Sequence, residues 1–569
     1  MPGRTLTRAG LLLVLLAFLG LHGAAIFTTA FNWDEFALLD RVARAAADGV
    51  LRASGHPGLS EVMLSPLVAD CRDEVATGRS ARGLWLAITL VYLAGIGALL
   101  LELFRDRAHR LHDAAVGVAL LGLTPAFLEW SLQVRSDQIA LAGAAWGGAA
   151  LLASRRRPVL AVAAGLGFGI GCLSSQKALY VAALMALLAL GQLSMLRDLR
   201  PRRDALRALL TLLTLNSVVF AYERLIGMRF TLPEQHPIGA LPETALVQRH
   251  LDVFHFYRHT IGISQYVDML PTLIPHLALL ALLVAATLPA LRARGPRAWL
   301  ALAWAVLGLG LAVGIFHAAA FAYFWMTLGL FPALALASAL APFRALLRLD
   351  AGRRLQIAAA LLWVGIALPA GFHTAELLRD TQAVQRESLA FVRRNFAPHQ
   401  AGFQPEAALF CGPEQPLGTW MSFLIYEKFG GETRENNTRY VLRRFREAHV
   451  YYLVESFRLN QFPLELRRFW AENYQPYRAS VFVAGRRFEA AAGETRSFEI
   501  VAPGDYRWLP LRGRQPLQIG AARVAAGGLI ALEAGAHTAA FPEDVPAGLL
   551  VLALDEPPGP APLAFYKTY

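Results

Sequence analysis

A chain of 569 residues with 56% hydrophobic and only 17% charged residues is too apolar for a soluble globular protein of ordinary composition. The formal charge of +12 does not point to nucleic acid, because the arginines gather in short segments between apolar runs, a pattern that reports membrane orientation. Three cysteines, Cys71, Cys172 and Cys411, show no metal-ligand spacing and define no disulfide framework. Cys71 and Cys411 are expected to share an oxidising side, so a bridge between them is conceivable, but two unpaired thiols is the reading the sequence favours.

A bilayer core of roughly 30 Å needs about twenty apolar residues in a helix. Runs of that kind lie near residues 10–29, 83–104, 114–132, 137–153, 158–175, 178–196, 206–223, 269–291, 298–317, 318–341 and 355–372. The sequence therefore predicts a polytopic α-helical membrane protein of about eleven transmembrane helices. Arg4 and Arg8, then Arg105, Arg107 and Arg110, Arg155 to Arg157, and the groups around Arg202, Arg294 and Arg348 all fall on one side. Positive loops stay cytoplasmic, so the amino terminus is expected inside and everything after about residue 373 outside. The first run reads as an uncleaved anchor rather than a signal peptide, since no clean small-residue cleavage site follows it.

Residues 1–375 are thus read as a membrane domain with two large outer loops, 30–82 and 224–268. In the first loop, Phe36, Leu39, Val42, Ala46 and Val50 recur at helical spacing beside charged residues, as in an amphipathic helix lying on the membrane surface. A second such helix starts after Gly58. Residues 376–477 then read as a small α/β domain, and 478–569, with short alternating runs punctuated by glycines, as a β-sandwich.

The residues with chemical potential gather at the outer boundary. Asn32, Trp33, Asp34, Glu35 and Phe36 follow the first apolar helix, and two adjacent carboxylates there admit two readings. One is a helix start, with Asn32 as cap and acids in the first turn. The other is a general base, a carboxylate beside a dry cavity accepting a proton from an acceptor hydroxyl. Arg135 and Asp137 occupy the short outer turn after the third run. They either pair with each other or serve a substrate, Arg135 meeting a lipid phosphate and Asp137 positioning the acceptor or the guanidinium. Lys177, in the next outer turn, is a phosphate-side cation or a snorkelling lysine. Arg258 is a third cation. His255 and His259 flank it at i, i+4 without a third ligand, so no metal site is assigned, no cofactor is expected and divalent-metal dependence stays open. Tyr323 and Trp325, inside the tenth run, read first as aromatic-belt residues. No Gly-rich phosphate loop and no Walker lysine occurs, which argues against a nucleotide-driven pump.

Asn32 to Phe36 after the first span, two interfacial helices, Arg135 and Asp137 after the third, Lys177, and a tenth span with Tyr323 and Pro332 form an order that resembles the GT-C superfamily of membrane glycosyltransferases. The bacterial branch with protein O-mannosyltransferases and lipid A aminoarabinose transferases is the most similar. The resemblance implies a bacterial inner-membrane enzyme with a periplasmic C-terminal region, and a polyprenyl-phosphate-linked sugar donor. It also implies a catalytic carboxylate at Asp34, with Glu35 and Asp137 as neighbouring catalytic candidates and Arg135, Lys177, Arg258 and Tyr323 as substrate-binding residues. Transfer to an envelope lipid, polysaccharide or protein with inversion at the anomeric carbon is the expected reaction. MIR repeats are lacking, and the span count falls short of the thirteen of the aminoarabinose enzymes. The rival readings are a lipid-linked sugar flippase, which should show inverted repeats or midplane charges, and a non-catalytic envelope assembly protein.

Overall fold

A computed structural model of the chain describes residues 2–47, 58–105, 110–122, 125–175, 201–226, 368, 370–405, 408–412, 432–456, 459–460, 462–559 and 564–566. The expected spans at 178–196, 269–291, 298–317 and 318–341, and all but the end of that at 355–372, lie outside these residues, as do Lys177, Arg258 and Tyr323.

Helices stand at the other expected spans. They are α1 (Pro2–Thr28), α4 (Glu74–Leu103), α5 (Arg110–Gly122) with the short α6 (Pro125–Trp130), α7 (Ser136–Ala153), α8 (Leu160–Ser174) and α9 (Pro201–Ile226). Among the described residues two helices, Glu74–Leu103 and Arg202–Tyr222, are each long and apolar enough to cross a membrane. A third span arises if α1 and its bent continuation count as one. Leu206, Leu209, Leu213 and Phe220 on α9 are exposed, as are Val162, Leu166 and Ile170 on α8, which suits a lipid solvent.

Close helix packing rests on small residues. A Cβ on Gly143 of α7 would sit 2.5 Å from the Gly167 carbonyl oxygen of α8, and one on Gly167 would sit 2.7 Å from the Gly147 nitrogen. Without a hydrophobic driving force between helices in lipid, such backbone approach supplies the van der Waals contact that holds them.

In the first outer loop, α2 (Trp33–Ala47) leaves α1 with a bend of 74°. Its expected amphipathic character is present, with Phe36, Leu39 and Val42 fully buried. That face does not lie open to the membrane surface as the sequence suggested. Phe36 packs against Phe410, Phe565 and Tyr566 of the C-terminal region, at ring-centroid distances of 6.1, 6.0 and 6.2 Å. Protein aromatic rings, rather than lipid headgroups, take water away from it. A salt bridge of 3.7 Å from Arg41 to Glu61 links α2 to α3 (Leu59–Val68).

The C-terminal region begins with α10 (Ala383–Asn395), β1 (Gly402–Phe403), α11 (Glu432–Glu447), β2 (Tyr452–Val454) and α12 (Leu464–Asn473). β3 (Tyr474–Arg478) then turns through Ala479 and Ser480 into β4 (Val481–Ala490). β5 (Thr495–Ile500), β6 (Gly504–Pro510), β7 (Leu517–Ile519), β8 (Ala522–Val524), β9 (Leu529–Leu532), β10 (Gly535–Ala540) and β11 (Val545–Leu552) complete it. A seven-stranded sheet runs β1-β2-β4-β11-β6-β9, with β3 also on β4, and a four-stranded sheet runs β5-β10-β7-β8. The division anticipated between 376–477 and 478–569 falls inside the β3–β4 hairpin. There β4 pairs both with β2 and with β11, so backbone hydrogen bonds run continuously across it. Alternating sequence texture reveals strands but not their partners, which is why the sequence places a boundary where the sheet has none.

Cys71 and Cys411, 340 residues apart, form a disulfide that joins the loop before α4 to the C-terminal region. This replaces the two unpaired thiols expected from sequence; spacing alone cannot show that the fold brings such distant positions together. Cys172 remains free. Arg393 of α10 adds salt bridges to Asp73 at 2.9 Å and Glu74 at 3.0 Å on the same junction.

Two outcomes follow. Peptide mapping of the unreduced protein should yield a linked fragment containing Cys71 and Cys411 that disappears on reduction. Gly143→Val should overpack the α7–α8 contact at a cost of about 1–3 kcal/mol, read as a lower thermal midpoint in detergent with the C-terminal domain's circular dichroism retained.

Candidate functional site

The site is built on the four residues between α1 and α2, Thr29 to Asn32, and on the first turn of α2. The carboxamide of Asn32 accepts from the Asp34 backbone N–H at 3.0 Å, while the Glu35 carboxylate accepts from the Asn32 N–H at 2.8 Å. This reciprocal capping box fixes the entry into α2 and points Asp34 and Glu35 apart. It realises the helix-start reading for Asn32 and Glu35 without using the Asp34 carboxylate.

Glu35 is fully buried and faces Arg82 of α4, whose side chain is 1% exposed. Arg82 Nε reaches Oε1 at 2.8 Å and Nη2 reaches Oε2 at 2.7 Å, a bidentate pair. The same guanidinium donates to the Thr29 and Ala30 carbonyls at 2.6 and 2.9 Å and lies over the Phe31 ring. Glu35 also accepts the Val134 N–H at 3.0 Å. Every nitrogen of Arg82 and both oxygens of Glu35 are thus engaged within the protein. Their geometry is that of a clamp between two loops, 29–35 and 131–135.

One face of α4 carries the rest of that clamp. Trp85 Nε1 donates to the Arg135 carbonyl at 2.7 Å and Thr89 Oγ1 to the Ser131 carbonyl at 3.0 Å. Positions 82, 85 and 89 share a helix face. From the other side, α10 and the residues just before it satisfy the backbone of the first loop. Gln385 both accepts from the Phe31 N–H at 2.7 Å and donates to the Phe31 carbonyl at 2.9 Å. The Thr381 hydroxyl accepts from the Ala30 N–H at 2.9 Å. Buried loop backbone demands such partners, and here they come from residues about 350 positions away.

Asp34 is placed differently. Its side chain is 24% exposed, and Oδ2 lies 2.5 Å from Nη1 of Arg135. Arg135 Nε lies 3.7 Å from Asp137 Oδ2, so the guanidinium stands between two carboxylates. It also lies near the Trp130 ring, 5.8 Å from the centroid. Asp137, in the first turn of α7, is approached at 3.5 Å by the hydroxyl of Ser175 at the end of α8. The structure therefore brings together Asp34, Arg135 and Asp137, and assigns Glu35 to a separate, buried pairing. Among the described residues no three His, Cys, Asp or Glu side chains group as metal ligands.

Sequence reasoning missed Arg82, Trp85, Thr89 and Gln385. Arg82 stands one residue before the apolar run 83–104, where an arginine reads as a boundary charge. The signal that could have singled it out is its i, i+3, i+7 register with Trp85 and Thr89.

No protein-family model matches the sequence, and no curated protein matches it either. Solved structures do. The oligosaccharyltransferase of Archaeoglobus fulgidus in its apo form superposes with a TM-score of 0.55 at 10% identity, covering 97% of this chain and 97% of that one. The same protein with Zn and sulfate gives 0.51 at 11% identity, over 96% and 98%. ArnT from Cupriavidus metallidurans bound to undecaprenyl phosphate gives 0.49 at 13% identity, over 83% and 98%. The chain thus shares the fold of the archaeal oligosaccharyltransferase.

Proposed function

We propose that this protein is a GT-C type glycosyltransferase that moves a sugar from a polyprenyl-phosphate donor to an envelope acceptor on the outer face of the bacterial inner membrane. The observation that carries the reading is the Asp34–Arg135–Asp137 cluster. It sets a partly exposed carboxylate against a guanidinium where the first span ends. The shared fold supports it, and the donor class comes from the sequence resemblance.

The chemistry is a single displacement. The acceptor oxygen or nitrogen forms a bond to the anomeric carbon, and its proton passes to Asp34. The bond from that carbon to the phosphate oxygen breaks, its electron pair leaving with the polyprenyl phosphate. Arg135 meets the departing charge as a bidentate donor to phosphate, exchanging part of its contact with Asp34 for it. Release of Asp34 from the ion pair at that moment frees its carboxylate to take the proton. Asp137 holds the guanidinium from its far side. One displacement inverts the anomeric centre. Lys177 and Arg258 are further proposed phosphate contacts, and Tyr323 a wall of the donor site. Glu35 acts through position rather than chemistry, holding the loop on which Asp34 stands.

The two neighbouring acids give opposite signatures. Asp34→Asn should lower transfer, assayed in native membranes with a polyprenyl-phosphate sugar, by at least about a hundredfold, the low end of general-base contributions, with the thermal midpoint unchanged. Glu35→Gln should lower the thermal midpoint sharply, because it leaves the Arg82 charge buried without its partner, at a cost of about 3–5 kcal/mol. Full transfer by Asp34→Asn would overturn the reading. Arg135→Ala should weaken binding of undecaprenyl phosphate to the purified protein about tenfold or more, a charge-assisted contact of about 1.5–3 kcal/mol, and Arg135→Lys should restore only part of it.

A further inference from the structure

The Asn32 loop has a second side. Along it runs an open cleft walled by Asn32, Glu129, Gln133, His373, Glu376 and Tyr566. Four stretches of chain meet there: the end of α1, the turn after α6, the helical residues 370–377, and the C-terminal residues 564–566.

Its chemistry is one-sided. Glu129 and Glu376 supply carboxylates, and His373 Nε2 lies 2.8 Å from Glu129 Oε2. No arginine or lysine lines it among the described residues. A phosphate entering this space would meet like charge, whereas hydroxyl or amine donors would meet acceptors. Gln133 is only 5% exposed, and its Oε1 has no hydrogen-bond partner among the described residues, although its backbone carbonyl accepts from Gln138. A buried amide oxygen left unpaired on the wall of a cleft points to a donor supplied from outside.

The aromatic wall is held firmly. The Tyr566 hydroxyl accepts from Gln404 Nε2 at 3.1 Å, and its ring packs on Phe36 and Phe565. The Phe565 N–H donates to Glu455 at 3.0 Å. Burial pushes the Glu455 carboxyl up from the usual range, against the pull of that N–H. Residues 564–566 are thereby anchored against α2, the helix that carries Asp34.

We propose that this cleft binds a sugar ring that carries no negative charge, with Gln133, Glu129 and Glu376 accepting from its hydroxyls and the Tyr566 ring closing one wall. That the ring is the one reacting at Asp34 rests on the transferase reading; the binding itself does not. The division is then one of charge, with the phosphate met by Arg135 and the uncharged ring met by the acidic lining.

Saturation-transfer NMR on the full-length protein in nanodiscs tests it, with methyl glucoside, methyl glucosaminide and glucose 6-phosphate as probes. The first two should give ring-proton signals and the phosphate should not. Gln133→Leu, which conserves volume, and Glu376→Gln, at an exposed position that the fold tolerates, should each reduce those signals at least fivefold. Equal signal from glucose 6-phosphate, or undiminished signals in the Glu376→Gln protein, would overturn the proposal. Displacement of methyl glucoside by polyprenyl-phosphate glucose, but not by bare polyprenyl phosphate, assigns the cleft to the donor's sugar. Simultaneous binding assigns it to the acceptor's, and either result supports the site. Loss of probe binding with an inactive Asp34→Asn protein would sink the cleft alone, while retained binding with an active Asp34→Asn protein would sink the transferase alone.

Discussion

The buried ion pair between Glu35 and Arg82 is the constraint on which the rest of the outer face depends. Two charges removed from water cost several kcal/mol each unless their geometry and remaining hydrogen bonds are nearly complete. Here they are: the carboxylate takes two guanidinium contacts and two backbone N–H groups, and the guanidinium gives its remaining donors to Thr29 and Ala30. Such a pair adds little net stability over an apolar replacement, but it tolerates almost no displacement. Its use is specification. It fixes where the chain leaves the first span, and hence where Asp34 stands relative to Arg135.

That constraint extends into the C-terminal region, which is built into the site rather than hung beside it. One contiguous core includes Phe31 and Phe36 from the first loop, Leu64 from α3, Phe391 from α10 and the strand residues Trp508 and Leu550. The disulfide and the Arg393 salt bridges fasten the same junction at its edge. A region that supplies Gln385 to the Asn32 loop and Tyr566 to the cleft wall cannot move independently of either. The face of α2 that looks membrane-bound in the sequence is covered by this region for the same reason.

The residues of the candidate site were partly legible because they break a pattern. Asp34, Arg135 and Asp137 are ionisable groups at the ends of apolar runs, where each costs free energy and therefore signals a partner or a task. Their mutual contact could only be guessed, since 101 positions separate Asp34 from Arg135 in the chain. Glu35 looked equivalent to Asp34 because adjacency in sequence says nothing about direction; on a helix the two point to different sides, one toward Arg82 and one toward Arg135. The cleft was invisible for a stronger reason. Glu129 and Gln133 stand out in the polar turn with Arg135, but His373 and Tyr566 lie far along the chain and only the fold brings them there. Strands were legible from alternation and glycine punctuation, whereas the pairing of β4 with both β2 and β11 depends on long-range register that local sequence does not encode.

In the proposed reaction, the choice of Arg135 over Arg82 for the departing phosphate follows from donor supply. Arg82 has no contact left to offer: each nitrogen is committed, and the side chain is closed to solvent. Arg135 stands at the boundary between two carboxylates, so its charge is balanced at rest and can be redirected without exposing a bare cation in the resting state. The same arrangement keeps the Asp34 carboxylate paired until an anion competes for the guanidinium. In the proposed reaction, proton abstraction then waits for the donor phosphate, and water arriving alone meets an Asp34 carboxylate already paired with Arg135. An enzyme handling a lipid-linked sugar at a wet boundary needs that coupling, because wasteful hydrolysis is the competing reaction.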